Sequence, residues 1–595
     1  MPRRSWSCSF LLSLLAACAS PAGMPPTAGV PATAPPDVGR RVVAEHGAVT
    51  SASPFASEAG LAMLQAGGNA VDAAVATAFA VGVAEPYMSG VGGSGAMTIW
   101  LQKEGRAEFL DFYAAQNADT WAAAIAAGRI PEGRPGPADL RIVGIPGNVA
   151  GLLAAHERFG RLPRAQVLAP AIRLAEEGFP VHQVMAEFVL SSEEKITLFE
   201  SSKRLLMPGG KALAPGDRYR TPELAAVLRR VAEQGPAGFY QGETARRIVE
   251  VLNAAGNPAT MADMAGYQVQ WERPVCSEYR GRVLLSAPPP QSGAHVLQTL
   301  ELLEPFDLPA LGLPTHSAQA LDVMASALRV GIADNRGNGD PNWAPMAGAG
   351  RVSAGYAAER SALVGKGSVT SPVPPGNALR HENDPPPSAC AALGPYGATP
   401  AIPGAVPGGS AEAATGGETT HLSVVDAEGN AVALTQTNSS VWGSGASVLD
   451  FFLNDSGFQF TAETVKAPSL SRWRTRSTTI APTVILNAGR VEMVVGAPGG
   501  GLIQPTIIQN IVYVLDYGMD PLEAVRMPRL FSNPASAEVQ METGFTAAAL
   551  EEARKMGWEP TALAPGYARI YMIVRRGGQW IAVADPRHNG EARGY

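Results

Sequence analysis

Apolar residues recur at helical spacing through much of the first 365 residues. Ser57 to Leu64 and Val71 to Ala84 are Ala-rich and almost wholly apolar, which predicts two buried helices; Gly67-Gly68-Asn69 between them supplies a turn and a cap. Val167 to Glu177, Thr221 to Gln234 and Ser317 to Asn335 mix apolar and polar positions at a helical period and predict amphipathic helices. The pattern lapses from about Gly367 to Gly417, where Pro, Gly, Ser and Ala crowd together, and this stretch is read as a flexible linker or loop. A period of two then takes over. Leu422 and Val424 fall on one face and Ser423 and Val425 on the other, predicting a strand that begins at Thr419. Asp426-Ala427-Glu428-Gly429-Asn430 is a turn signal, and Ala431 to Thr437 follows as a second strand. Helical spacing returns at Gln504 to Tyr517, Asp520 to Arg526 and Ala547 to Met556.

Composition narrows the class. With 595 residues, 46% hydrophobic and 17% charged, the chain is long enough for several domains and rich enough to bury a core. A net charge of −7 with no basic stripe argues against a nucleic-acid partner. The N-terminus reads as an export signal over residues 1–17, with Arg3 and Arg4 ahead of a short apolar run from Phe10 to Ala17. Leu15-Ala16-Ala17-Cys18 resembles the lipobox of bacterial lipoproteins. That likeness implies a lipid on Cys18, a membrane anchor and an outer-membrane protein facing the periplasm; cleavage by ordinary signal peptidase, giving a soluble periplasmic or secreted protein, is the alternative. Residues 18–41, rich in Pro and Ala, then serve as a tether. Beyond Cys8 and Cys18 only Cys276 and Cys390 remain, and their spacing leaves open whether they pair. No Cys-x-x-Cys or His-Glu-x-x-His occurs, and the glycine motifs lack a nucleotide-binding context, so neither a metal nor a cofactor is expected.

The junction between linker and strand carries the chemistry. A threonine hydroxyl is a poor nucleophile without a base beside it. If the Glu418–Thr419 bond is cut, Thr419 gains an α-amine that can serve as that base. A flexible segment leading into a rigid strand suits such a cut, which would divide the chain into a large region, 42–418, and a small one, 419–595.

An ordered series of motifs supports this: Ala56-Ser57-Glu58-Ala59-Gly60, Gly67 to Ala74, Glu85-Pro86, Ser89-Gly90-Val91-Gly92-Gly93, Pro288 to Gly293, Asp334-Asn335-Arg336, Gly496-Ala497-Pro498-Gly499-Gly500 and Ala584-Asp585-Pro586-Arg587. In this order the set resembles the γ-glutamyltranspeptidase family of N-terminal-nucleophile hydrolases over roughly residues 42 to 595. The resemblance implies an α/β (α+β) fold of four αββα layers, formed jointly by a large and a small subunit. It also implies self-cleavage between Glu418 and Thr419. Thr419 becomes nucleophile and, through its amine, base; Thr437 steadies it. The backbone N–H groups of Gly499 and Gly500 form the oxyanion hole, where glycine lets donors approach closely. Thr478 and Thr479 match a pair that contacts the substrate carboxylate.

The glutamyl-reading residues depart from the family pattern. Asp111-Phe112-Tyr113 carries a phenol where an Arg would clamp the substrate α-carboxylate, and a neutral hydroxyl does not replace a bidentate guanidinium. Ser439, Ser456 and Gln459 stand where Asn, Gln and Asp hold the amino group, although a one-residue slip at Asn438-Ser439 would restore an Asn. The stretch from Gln459 to Thr478 is short, implying an open cleft. Trp442 is a candidate wall of an apolar acyl pocket or part of the core. Arg474 and Arg476 are candidates for a displaced carboxylate contact. The favoured reading is an acylase or amidohydrolase acting on a small-molecule amide or peptide. A true glutathione hydrolase or transpeptidase and a non-catalytic lipoprotein scaffold are the alternatives.

Overall fold

A computed structural model describes residues 39–128, 139–336, 338–342, 345–368, 372–393, 417–457, 473–474, 477–564 and 568–595. The strands that build its two large sheets are β1 (Arg41–Ala44), β2 (Ala48–Ser51), β3 (Ser94–Leu101), β4 (Arg106–Phe112), β5 (Gln270–Glu272), β6 (Val275–Tyr279), β7 (Arg282–Ser286), β8 (Gly417–Val425), β9 (Ala431–Ser440), β10 (Thr483–Asn487), β11 (Arg490–Gly496), β12 (Tyr571–Arg576), β13 (Gln579–Ala584) and β14 (Glu591–Gly594). One seven-stranded sheet runs β14-β2-β8-β9-β3-β4-β5 and the other β1-β13-β12-β11-β10-β7-β6, with every neighbouring pair antiparallel. Each sheet therefore draws strands from both sides of Thr419.

The residue pattern explains the layers. Leu422 and Val424 of β8 face a helical layer, in a cluster with Val71, Val75 and Phe79. Val425 faces the opposite sheet, in a cluster with Trp100, Val484, Ile573 and Trp580. A third cluster joins the outer face of the second sheet to Val296, Leu328 and Ile511 on its helices. This is the expected αββα sandwich.

The expected helices form close to their predicted bounds: α1 (Pro54–Gln65), α2 (Ala70–Ala84), α3 (Arg164–Glu177), α4 (Pro222–Gln234), α5 (Ala318–Asn335), α6 (Ile503–Leu515), α7 (Pro521–Arg526) and α8 (Ala547–Lys555). Asn69 caps α2, accepting from the N–H groups of Val71 at 3.0 Å and Asp72 at 3.1 Å, while Asp72 accepts from the Asn69 N–H at 2.9 Å.

Two boundaries differ from expectation. β8 starts at Gly417, not Thr419, because Gly417 and Glu418 already pair with Ser440 and Ser439 of β9; neither contributes an apolar side chain to the alternation, so the pattern begins late. Within the stretch read as a linker, residues 372–393 are tied to the fold at a few points, with Val373, Ala378 and Cys390 buried. The Val373 N–H bonds the Pro534 carbonyl at 2.8 Å, Arg360 donates to the Pro374 carbonyl at 2.7 Å, and Cys390 forms a disulfide with Cys276. Cys18, Gln459 and Arg476 lie outside the described residues, as does most of the stretch read as giving an open cleft.

Candidate active site

The β8–β9 ladder slips at the proposed scissile bond. Glu418 pairs with Ser439 but Thr420 with Gln436, so Thr437 and Asn438 face the single residue Thr419. Ser439 takes up the offset with a positive φ of 80°. The irregularity brings two hydroxyls to the bond. Thr437 Oγ1 donates to the carbonyl oxygen of Glu418 and accepts from the Ser439 N–H at 2.7 Å, and Thr419 Oγ1 lies 3.5 Å from it. Thr419 and Thr437 are both buried.

A chain of hydroxyls adjoins this pair. Tyr113 OH is 3.2 Å from Ser439 Oγ, which is 2.7 Å from Ser456 Oγ. On the other side of Tyr113, its N–H donates to Asp111 Oδ1 at 2.7 Å, Gln291 Nε2 donates to Asp111 Oδ2 at 2.8 Å, and Thr478 Oγ1 donates to Gln291 Oε1. Burial raises the Asp111 carboxyl to about 6, against the downward pull of Gln291 and the Tyr113 N–H. Thr479 is half-buried next to Thr478.

Gly499 and Gly500 have φ of 129° and 55°, a turn that side chains would strain, at the start of a 3-10 segment, Gly500–Leu502, that leads into α6 and packs against β8. The Asn438 Nδ2 donates to the Pro86 carbonyl at 3.1 Å, away from the hydroxyl chain, while the Ser439 hydroxyl meets that of Tyr113. Trp442 is core. It is fully buried, meets Tyr87 edge-on and Phe452 at a tilt, and donates to the Phe188 carbonyl at 3.1 Å. The backbone of Arg474 lies opposite Gln116 in a two-residue ladder.

Charged residues behind the scissile bond were not anticipated. Arg569 pairs with the Glu418 carboxylate at 3.4 Å, and Glu85 accepts from Thr420 Oγ1 at 2.8 Å and from Tyr87 OH at 3.1 Å. Burial lifts both carboxyl groups to about 7, opposed by the Arg569 guanidinium. Glu85, Gln291 and the Asp111 carboxylate belonged to motifs already visible in the sequence. Arg569 had no local signal, because its role arises only when β12 packs near β8.

The Gamma-glutamyltranspeptidase family model matches residues 56–595. The chain belongs to that family. Among relatives of this γ-glutamyltranspeptidase-family chain, the "Glutathione hydrolase proenzyme" of Bacillus subtilis (strain 168) is 29% identical, covering 93% of this chain and 92% of the relative. The "Acylase ACY 1 proenzyme" of Pseudomonas sp. (strain SE83) is 32% identical over 83% of this chain and 84% of its own. A cephalosporin acylase from Bacillus halodurans shares the fold, with a TM-score of 0.80 at 24% identity, covering 96% and 98% of the two chains. The chain is thus an enzyme of the γ-glutamyltranspeptidase family, with the N-terminal-nucleophile hydrolase architecture.

Proposed function

We propose that this chain cleaves itself between Glu418 and Thr419 and then acts as an N-terminal-threonine amidohydrolase or acylase. The observation that carries the reading is the Thr437 hydroxyl donating to the Glu418 carbonyl with the Thr419 hydroxyl beside it. That donor polarises the carbonyl to be attacked. Thr419 Oγ adds to the Glu418 carbonyl carbon, the C–N bond breaks, and the acyl group moves to oxygen as the Thr419 nitrogen takes the proton. Water then hydrolyses the ester, leaving the Glu418 carboxylate and a free Thr419 amine. In the mature enzyme this amine accepts the Thr419 hydroxyl proton during attack on a substrate amide. The N–H groups of Gly499 and Gly500 receive the tetrahedral oxyanion, the amine product leaves with the proton, and water releases the acid.

The substrate side favours acyl groups other than γ-glutamyl. Tyr113, bonded to Ser439 and through it to Ser456, presents hydroxyls where a glutamyl reader needs an Arg clamp. The likeness to a protein named an acylase proenzyme agrees with this. The export signal, the lipid on Cys18 and a periplasmic location complete the proposal. The Cys276–Cys390 disulfide supports export, since such bonds persist in oxidising compartments.

Denaturing electrophoresis and intact mass of the purified full-length chain, beside Thr419→Ala, test the core of this reading. Two fragments meeting at Glu418/Thr419, absent from the variant, are expected, followed by turnover of acyl amides in preference to γ-glutamyl-p-nitroanilide. A folded parent chain that stays whole rejects the hydrolase; efficient γ-glutamyl turnover rejects the acyl preference. Membrane fractionation of the parent and Cys18→Ser tests the anchor, with release of the variant into the soluble fraction expected.

A further inference from the structure

The cluster behind the scissile bond extends this self-cleavage reading and rests on it. Arg569 is buried, and its guanidinium has few partners: Nη2 meets Glu418, with Met88 Sδ at 3.9 Å, and Nη1 lies 3.0–3.2 Å from the His588 ring nitrogens. Among the described residues its Nε has no hydrogen-bond acceptor. A cation so placed needs an anion, and Glu418 and Glu85 are the carboxylates that interact with it. Glu85 is meanwhile bonded to the Thr420 hydroxyl. The residue before Thr419 and the residue after it are therefore both tied to one charged cluster, while the ladder slips between them.

We propose that Arg569 is a positioning residue for self-cleavage: by gripping the Glu418 side chain while Glu85 grips Thr420, it fixes the orientation of the scissile carbonyl between the Thr437 and Thr419 hydroxyls. Attack by a residue on its own preceding carbonyl demands a particular rotation of that peptide plane, and small misplacements of reacting atoms cost large factors in rate. The clamp holds both flanking side chains while leaving Thr419 itself to the other face of β8. Glu418 thus acts through its side chain as well as through its carbonyl.

The rate of conversion from whole to cleaved chain, followed by intact mass at a temperature well below melting, tests this in the full-length protein. Arg569→Gln and Glu418→Gln are each expected to slow cleavage by about tenfold or more, with Arg569→Lys in between because it keeps the charge but not the fork. The same substitutions in a Thr419→Ala background give the melting temperature of the uncut fold. A residue that only braced the fold would lower that temperature and leave the cleavage rate of folded molecules unchanged. Cleavage at the parent rate in both Gln variants overturns the proposal. If Arg569→Gln does not fold, the near-isosteric Glu418→Gln decides alone. A parent chain that never cleaves removes the self-cleavage reading itself; a parent that cleaves beside equally fast variants removes only the role of Arg569.

Discussion

Thr437 is a single hydroxyl with three hydrogen-bonding relationships, to the Glu418 carbonyl, the Ser439 N–H and the Thr419 hydroxyl. Thr437→Val keeps the shape and removes the donor. Losing one donor to a developing oxyanion costs roughly 10²–10³ in rate, so time-resolved intact mass should show Thr437→Val largely uncut when the parent is fully processed, with Thr437→Ser close to the parent. Glu85 makes a prediction of pH dependence. Its carboxyl rises from 4.5 to about 7 in the folded chain because burial disfavours its charge. Below the unfolded value both states hold the proton. As pH climbs through the window the unfolded chain ionises first, so the folded state loses this contribution until pH passes about 7. Thermal melts of Thr419→Ala from about pH 4.5 to about 8 should show that decline, and Glu85→Gln should make it shallower. Thr419, Thr437, Tyr113, Ser439, Ser456 and Thr478 are readable as candidate site residues through the family resemblance, and the structure brings them together. Gln291, Glu85 and Arg569 were not assigned roles, because their chemistry depends on partners distant in the chain.

Elements formed where a strong period existed. The α2 helix is unambiguous from its apolar run and its Asn69–Asp72 cap, and the β8–β9 hairpin from its turn. The strand's true start was hidden, since a ladder through Gly417 and Glu418 needs only backbone. Residues 372–393 escaped for a related reason: their order comes from a disulfide and isolated hydrogen bonds rather than from a periodic apolar face. Packing between the sheets yields a further prediction. His421 of β8 sits between the sheets, 2.8 Å from Thr435 Oγ1 and 3.1 Å from Ser423 Oγ, and its ring occupies the space a Cβ on Gly496 would need, 2.2 Å from the His421 Cε1. Gly496→Ala should therefore destabilise by about 1–3 kcal/mol through overpacking, read by chemical denaturation of the Thr419→Ala chain. Because Gly496 ends the strand that leads to Gly499, surviving Gly496→Ala molecules should also process more slowly.

Across the whole molecule, the Cys276–Cys390 bond closes a loop with a sequence separation of 114. Removing a native disulfide typically costs about 2–5 kcal/mol, so Cys276→Ser with Cys390→Ser should lower the melting temperature while leaving cleavage at Thr419 intact, as calorimetry and electrophoresis would show. Both cysteines precede Thr419, so the bond does not link the two products of cleavage. What holds those products together is the weave of the sheets. In one sheet β8 and β9 lie between β2 and β3, and β14 caps β2; in the other, β10 to β13 lie between β7 and β1. Neither product has a complete sheet of its own, and parting them means breaking ladders in both sheets at once. Dissociation is then coupled to unfolding, so mass action reaches the pair only through the unfolded chains. Dilution that would dissolve an ordinary heterodimer should leave this one whole until it unfolds, and the two pieces, once parted, should behave as unfolded fragments of one fold rather than as folded subunits.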